Sequence, residues 1–274
     1  MSNLIYCDTN IIRYILDTPN APSRFAAHLR REDLQHGISV IQLTELLKLP
    51  RYHSALAELI YTAGSHLFHW WKSILVEEVG AYPNTHEPEV VSPWSLATWY
   101  STSGGVEGLR CALAGSDISL LWEEFEDQKS RYRPVMDWLP STLPKSPTKQ
   151  AIDIDFTLHN HGVVLQILRE IAPEFVESLK VDPLAFDPTY FRGAYVHAAY
   201  NYYRYVLKGM KATPSDVPDL HQVFYIPYCS IVIMEKSMAG ILSELKRDRS
   251  LLCAVKIQSM RYARSHFGMR RGSA

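Results

Sequence analysis

The feature that most constrains this chain is a pair of short apolar runs that each stop at an acidic residue. Leu4-Ile5-Tyr6-Cys7 ends at Asp8, and Ser230-Ile231-Val232-Ile233-Met234 ends at Glu235. Four or five apolar residues with no alternation suit a strand buried on both faces, as in a parallel sheet covered by helices. After Asp8, Ile11, Ile12, Tyr14, Ile15 and Leu16 mark a short helix that ends near Pro19, and Arg24 to Arg31 forms a second amphipathic stretch. Gly37 to Val40 reads as a strand, Gln42 to Leu49 as a helix closed by Pro50, and Ser54 to Trp71 as a further helix. Strand alternating with helix predicts an α/β fold with a parallel sheet.

The alternation breaks in the middle. Pro-rich stretches at Tyr82 to Pro93 and Pro140 to Pro147 flank a Trp-rich segment, and helical patterns follow from Asp153 to Leu179 and from Pro188 to Met210. It resumes after Pro214 with a helix from Val217 to Tyr228, the strand ending at Glu235, a helix from Lys236 to Leu245 and a last strand from Leu251 to Val255. The expected organisation is one α/β domain built from residues 1–70 and 214–274, with residues 71–213 as a mostly helical insertion packed on it.

In a parallel sheet, residues just beyond the carboxyl ends of the strands converge on one edge, where sites form. Asp8 and Glu235 follow strands, Glu45 sits in the helix after the second strand, and Asp219 opens a helix, with Pro218 tolerable in its first turn. Four carboxylates at one edge suit Mg²⁺ or Mn²⁺, which prefer oxygen ligands.

Tyr6-Cys7-Asp8-Thr9-Asn10-Ile11 resembles the opening strand and Asp-Thr-Asn of PIN domains, and Ser39-Val40-Ile41-Gln42-Leu43-Thr44-Glu45-Leu46 resembles the motif that delivers their Glu. Asp219-Leu220-His221, then Ile231 to Glu235, resembles their third motif and final strand. The resemblance covers residues 1–70 and 214–260. It departs at Met234, where the family usually has Thr or Ser, at Glu235 in place of the more typical Asp, and in the long gap between Glu45 and Asp219. It implies a PIN-like fold and a metal-dependent endoribonuclease, with Asp8, Glu45, Asp219 and Glu235 as catalytic residues and ligands of Mg²⁺ or Mn²⁺. Thr9 and Asn10 are then expected to orient Asp8. A cytoplasmic location is expected separately, from the scattered cysteines and from an opening segment too short for a signal peptide. The expected partners are RNA as substrate, a regulatory protein of the kind that restrains toxins and defence effectors of this family, and further copies of the chain. No membrane partner is expected, since no apolar run approaches a membrane span.

Other readings of the same residues stay open. Asp8 would serve as a helix cap without any metal, and Glu235 as an exposed residue at a strand end. Asp216 competes with Asp219, the spacing to Glu235 favouring Asp219 and leaving Asp216 as a cap or surface charge. A catalytically inactive PIN-like binding module and a phosphohydrolase of small esters are the alternatives. The latter is disfavoured because no second Asp stands two residues after Asp8 and no Gly-rich phosphate loop is present.

With 28 basic and 29 acidic residues the formal net charge is -1, so a grip on nucleic acid must come from a local patch. Arg261, Arg264, Arg270 and Arg271, with Tyr262 and Phe267 between them, form the best basic stretch, and Arg30, Arg31, Lys48, Arg51 and His53 are candidates for a rim. The aromatic and basic run from Tyr190 to Lys208 reads as core in preference to a base-stacking surface. Asp153, Asp155, His159 and His161 read as a polar helix start, since their spacing matches no ligand motif. The four scattered cysteines show no C-x-x-C pair, which suggests free thiols in a reducing compartment.

Overall fold

The computed structural model describes residues 3–84, 87–101, 104–115, 123, 127, 147–179, 186–213 and 216–268. Its centre is a six-stranded sheet: β1 (Leu4–Cys7), β2 (Gln35–Ile38), β3 (His66–Phe68), β4 (Val91–Ser95), β5 (Ile231–Met234) and β6 (Lys256–Ser259), in the order β4-β3-β2-β1-β5-β6. All neighbours are parallel except β3 and β4. The chain is therefore of the α/β class. Strand order runs outward from β1 in both directions, which makes the β1/β5 boundary a topological switch point.

Helices cover both faces. α1 (Thr9–Asp17), α2 (Ala21–Glu32), α3 (Val40–Leu47) and α4 (His53–Ala63) come from the first part of the chain. The middle supplies α5 (Trp71–Ala81), α6 (Leu96–Ser101), α7 (Gly105–Gly115), α8 (Lys149–Ile171), α9 (Pro173–Ser178) and α10 (Arg192–Asn201), the last widening into a π-helical turn over Tyr202–Leu207. α11 (Val217–Val223), α12 (Lys236–Arg249) and α13 (Met260–His266) complete the set.

The apolar runs are buried on both sides because successive side chains of a strand point to opposite faces. Leu4 and Tyr6 of β1, with Val232 and Met234 of β5, enter one core together with Trp71, Phe156, Tyr200 and Phe224. Ile5 and Cys7, with Ile231 and Ile233, enter the other beside Ile12, Phe25, Leu56 and Leu109. The middle of the chain thus shares its core with the sheet.

Several boundaries differ from the sequence expectation. The helix expected over 54–71 is interrupted: Gly64, at φ 58°, ends α4, and His66 and Leu67 pair with β2. The sheet does not stop near residue 70, because β4 pairs with β3 and so places residues 91–95 in the sheet. Pro93 is compatible with this position at an edge. The last strand is Lys256–Ser259, because Ser250 and Leu252 take left-handed conformations (φ 53° and 61°) that turn the apolar run 251–254. The second strand closes at Ile38, with Ser39 already capping α3.

Cys7 and Cys229 are buried, Cys111 and Cys253 exposed, and all four thiols are free. Among the described residues no helix is long and apolar enough to cross a membrane.

Candidate functional site

Asp8 ends β1 at the switch point. Its Oδ1 accepts a hydrogen bond from the Ile11 amide at 2.8 Å and so caps α1, while Oδ2 accepts from the Glu235 amide just beyond β5. The Asp8 amide in turn donates to Ile233 O at 2.9 Å. One carboxylate therefore locks the ends of two central strands together, and the cap reading holds alongside any further role. Burial pushes its pKa up to about 6, against the lowering effect of the backbone amides and with Glu235 adding repulsion.

Glu45 reaches this edge because α3 is fixed at its start. Ser39 and Gln42 form a reciprocal capping box, and the Gln42 side-chain amide donates to the Cys7 carbonyl. Glu45, one turn on, accepts a hydrogen bond from the Thr9 hydroxyl. Asp219 lies in the first turn of α11. Its carboxyl is pushed up to about 7, chiefly by burial, with Arg204 opposing and with Glu45, Glu235 and Asp8 each adding repulsion. The Thr9, Asn10 and Gln222 side chains and the Glu235 amide link Asp8, Glu45, Glu235 and α11, whose first turn carries Asp219, at this edge. Glu235 is exposed and accepts from the Asn10 side-chain amide.

Thr9 and Asn10 consequently do not orient Asp8 through their side chains, as expected from sequence. They hold Glu45 and Glu235, and Asp8 takes its orientation from backbone amides. Gln222, one turn after Asp219, donates to Thr9 Oγ1 at 3.4 Å, which joins α11 to the same network. Among the described residues no group of three Asp, Glu, His or Cys side chains stands ready-made to hold a metal ion. Asp8, Glu45 and Glu235 are each turned onto protein donors, and a carboxylate keeps lone pairs for a cation beside such a bond.

Asp216 is neither the side-chain cap nor the surface charge expected. It is buried and pairs with Arg204 at 2.6 Å, and it also accepts from the Thr213 amide and the Tyr205 hydroxyl. Arg204, in the π-helical turn, donates as well to Tyr200 Oη at 3.0 Å. It brings a permanent cation from the middle of the chain to the acidic edge, and π-helical turns recur at functional sites. The rest of the aromatic run from Tyr190 to Lys208 is largely core, as expected, with Tyr200, Tyr202 and Tyr203 buried.

A cavity of ≈ 710 Å³ opens beside Asn10 and Glu235, walled by Met210, Ile241 and Met260 and carrying Lys208 and Lys236. Lys208 is paired with Glu244 at 2.8 Å. Arg261 and Arg264 are exposed on α13, whereas Arg270 and Arg271 lie outside the described residues. Arg30 and Arg31 do not rim the acids, because the end of α2 leads into the amino end of β2 at the opposite edge. Asp153 pairs with Arg249, and Asp155 accepts from Tyr202 Oη at 2.9 Å. His159 and His161 face Tyr202 and Phe186, so these four residues assemble no metal cluster.

Comparisons of the chain with family models, with curated proteins and with solved structures find no match.

Proposed function

We propose that the chain is a PIN-like, metal-dependent endoribonuclease whose active site is the carboxylate cluster at the β1/β5 switch point. The supporting observation is the hydrogen-bond network that joins Asp8, Glu45 and Glu235 through Thr9, Asn10 and the Glu235 amide, with Gln222 tying in α11, whose first turn carries Asp219. Nothing in core packing calls for so many acids in one place, and their repulsion destabilises the chain unless a cation offsets it. The donor set is entirely oxygen, which suits Mg²⁺ or Mn²⁺. Asp8 and Asp219 would be the principal ligands, with Glu45 and Glu235 completing the set. A bound divalent cation supplies a water of lowered pKa and positive charge against phosphate oxygens.

The protein's own groups then do the positioning. The two amides on Asp8 fix the direction of its carboxylate, Thr9 and Asn10 steady the two glutamates, and Gln222 holds Thr9 in place. Arg204 beside Asp219 offsets part of the cluster's charge. The adjacent cavity, lined by Met210, Ile241 and Met260 and by Lys236, offers room for a nucleotide next to the scissile position.

A non-catalytic binding module is the second reading. It is favoured by the finding that, among the described residues, no group of three Asp, Glu, His or Cys side chains stands ready to hold a metal ion. Cleavage assays on single-stranded RNA, structured RNA and DNA separate the two. Cutting that requires Mg²⁺ or Mn²⁺ and is abolished by Asp8→Asn with the fold intact is expected. No cutting of any substrate, or cutting that survives the substitution, refutes the nuclease reading.

A further inference from the structure

A recess of ≈ 500 Å³ lies between α2 and the end of α13 and shares no lining residue with the acid cluster. Its polar wall consists of Arg24, His28, Arg31, Ser265 and His266, with no acidic residue among the described lining groups. The wall is held by its own contacts. His28, 4 % exposed, receives a hydrogen bond from Arg31 Nη2 at its Nδ1, 2.9 Å away. A guanidinium has no acceptor, so Nδ1 must be the unprotonated nitrogen and Nε2–H donates to Tyr262 Oη at 3.1 Å. The Tyr262 ring stacks on His266 with centroids 3.9 Å apart. Arg24 donates to the Gly268 carbonyl and so closes the recess against the end of α13. A Cβ at Gly268 would come within 2.4 Å of Arg264 O and of the Tyr14 hydroxyl, so the close approach there requires glycine.

Much hydrogen-bonding capacity is left over. A guanidinium carries five N–H donors. Arg24 spends one on Gly268, and Arg31 spends two, on Glu32 and His28. Glu32 stands beside Arg31, outside the recess, and Arg31 and Lys256 hold its carboxyl below the usual range. Two forked cations converging on one recess match a phosphate, which accepts bidentate bonds from arginine. Because His28 fixes Arg31 and Tyr262 in advance, less ordering would accompany binding than for free surface arginines.

We propose that this recess is a phosphate-binding site, separate from the carboxylate cluster, that takes a free phosphate or the phosphate monoester of a nucleotide. Arg24 and Arg31 carry the anion, and His28 acts as a positioning residue through Arg31, while the Ser265 hydroxyl and His266 Nδ1 stay engaged with the Tyr262 carbonyl and wall the recess. The volume is well above that of a lone phosphate and within the range of small-molecule sites. The proposal does not depend on the nuclease reading.

The test is calorimetric titration of the full chain with inorganic phosphate and with adenosine 5′-monophosphate, at constant ionic strength and with EDTA present so that no cation bridges ligand to the carboxylates. Saturable binding of at least one ligand is expected, weakened about ten-fold or more in Arg24→Gln/Arg31→Gln. Arg31→Gln alone, at a largely exposed side chain, should weaken binding measurably without a change in fold. Tighter binding of the nucleotide assigns the site to a phosphate ester, and equal binding assigns it to the free anion. Absence of saturable binding by either ligand, or affinity that survives the double substitution, overturns the proposal.

Discussion

Glu78 provides a sharp test of how the middle of the chain is seated on the sheet. It lies on α5, 4 % exposed, and accepts a hydrogen bond from Tyr228 Oη at 2.6 Å; Oε2 has no partner among the described residues. The same tyrosine oxygen receives the Gly193 amide at 3.0 Å, so one polar knot ties α5, α10 and the segment after α11 together. Burial raises the carboxyl from 4.5 to about 7, with the Tyr228 hydroxyl and the Arg192 amide opposing. Below pH 4.5 both the folded and the unfolded chain hold the proton, and ionisation has no effect on stability. As pH rises from 4.5 to about 7 the unfolded chain releases its proton first, so stability is lost across that window and the loss is complete above it. At about 1.4 kcal/mol per pH unit the full loss is about 3 kcal/mol. Glu78→Gln keeps an acceptor for Tyr228 and cannot ionise. Urea unfolding of both proteins at pH 4.5 and pH 8.5 should give nearly equal stabilities at the lower pH and a variant about 3 kcal/mol more stable at the higher one. A stability difference that does not change with pH would refute the assignment of Glu78 as a buried, protonated carboxyl.

On the acid side the sign reverses. His36 and His197, fully buried, have pKa values driven by burial down to about 3 and about 4, so their neutral forms stabilise the fold above the unfolded value of 6.5, and that contribution is lost as pH falls toward the folded values. At pH 5 each should cost about 2 kcal/mol relative to pH 8, and His36→Gln should flatten this part of the unfolding profile. Gly37→Ala places a Cβ 2.2 Å from the buried Phe68 ring and should cost about 1–3 kcal/mol. Part of that should be recovered when Phe68→Leu is added, as read from a double-mutant cycle of urea midpoints. Arg204→Met strands the buried Asp216 carboxylate and should cost about 3–5 kcal/mol, most of it restored by adding Asp216→Asn. Equal losses in the single and double variants would show that the pair is not coupled.

The central strands were legible because each is an apolar run that ends abruptly at an acid. Asp8 and Glu235 therefore fell at strand ends in the sequence as they do in the sheet. The edge strands were not. His66-Leu67-Phe68 is too short to show a period of two, and β4 contains Pro93, which only an edge tolerates. Leu251 to Ala254 has the composition of a strand, yet the left-handed residues Ser250 and Leu252 turn it, a conformation that neither residue type advertises. Within the site, the acids could be chosen from motif order, but their partners could not. The Thr9–Glu45 and Asn10–Glu235 bonds depend on the angle at which α1 leaves the switch point. Gln42 did carry a readable signal, since Ser39-x-x-Gln42 is a capping box. Arg204 carried none, because its partner Asp216 is brought to it only by the packing of α10 against α11.

The most direct measurement of the carboxylate site is a Mn²⁺ titration followed by electron paramagnetic resonance of the free ion, on wild type, Asp8→Asn and Asp219→Asn. Saturable uptake by the wild type, lost or strongly weakened in both variants while their circular dichroism stays native, is the expected result. Uptake that is absent from the wild type, or unchanged in both variants, would contradict a cation site built from these acids.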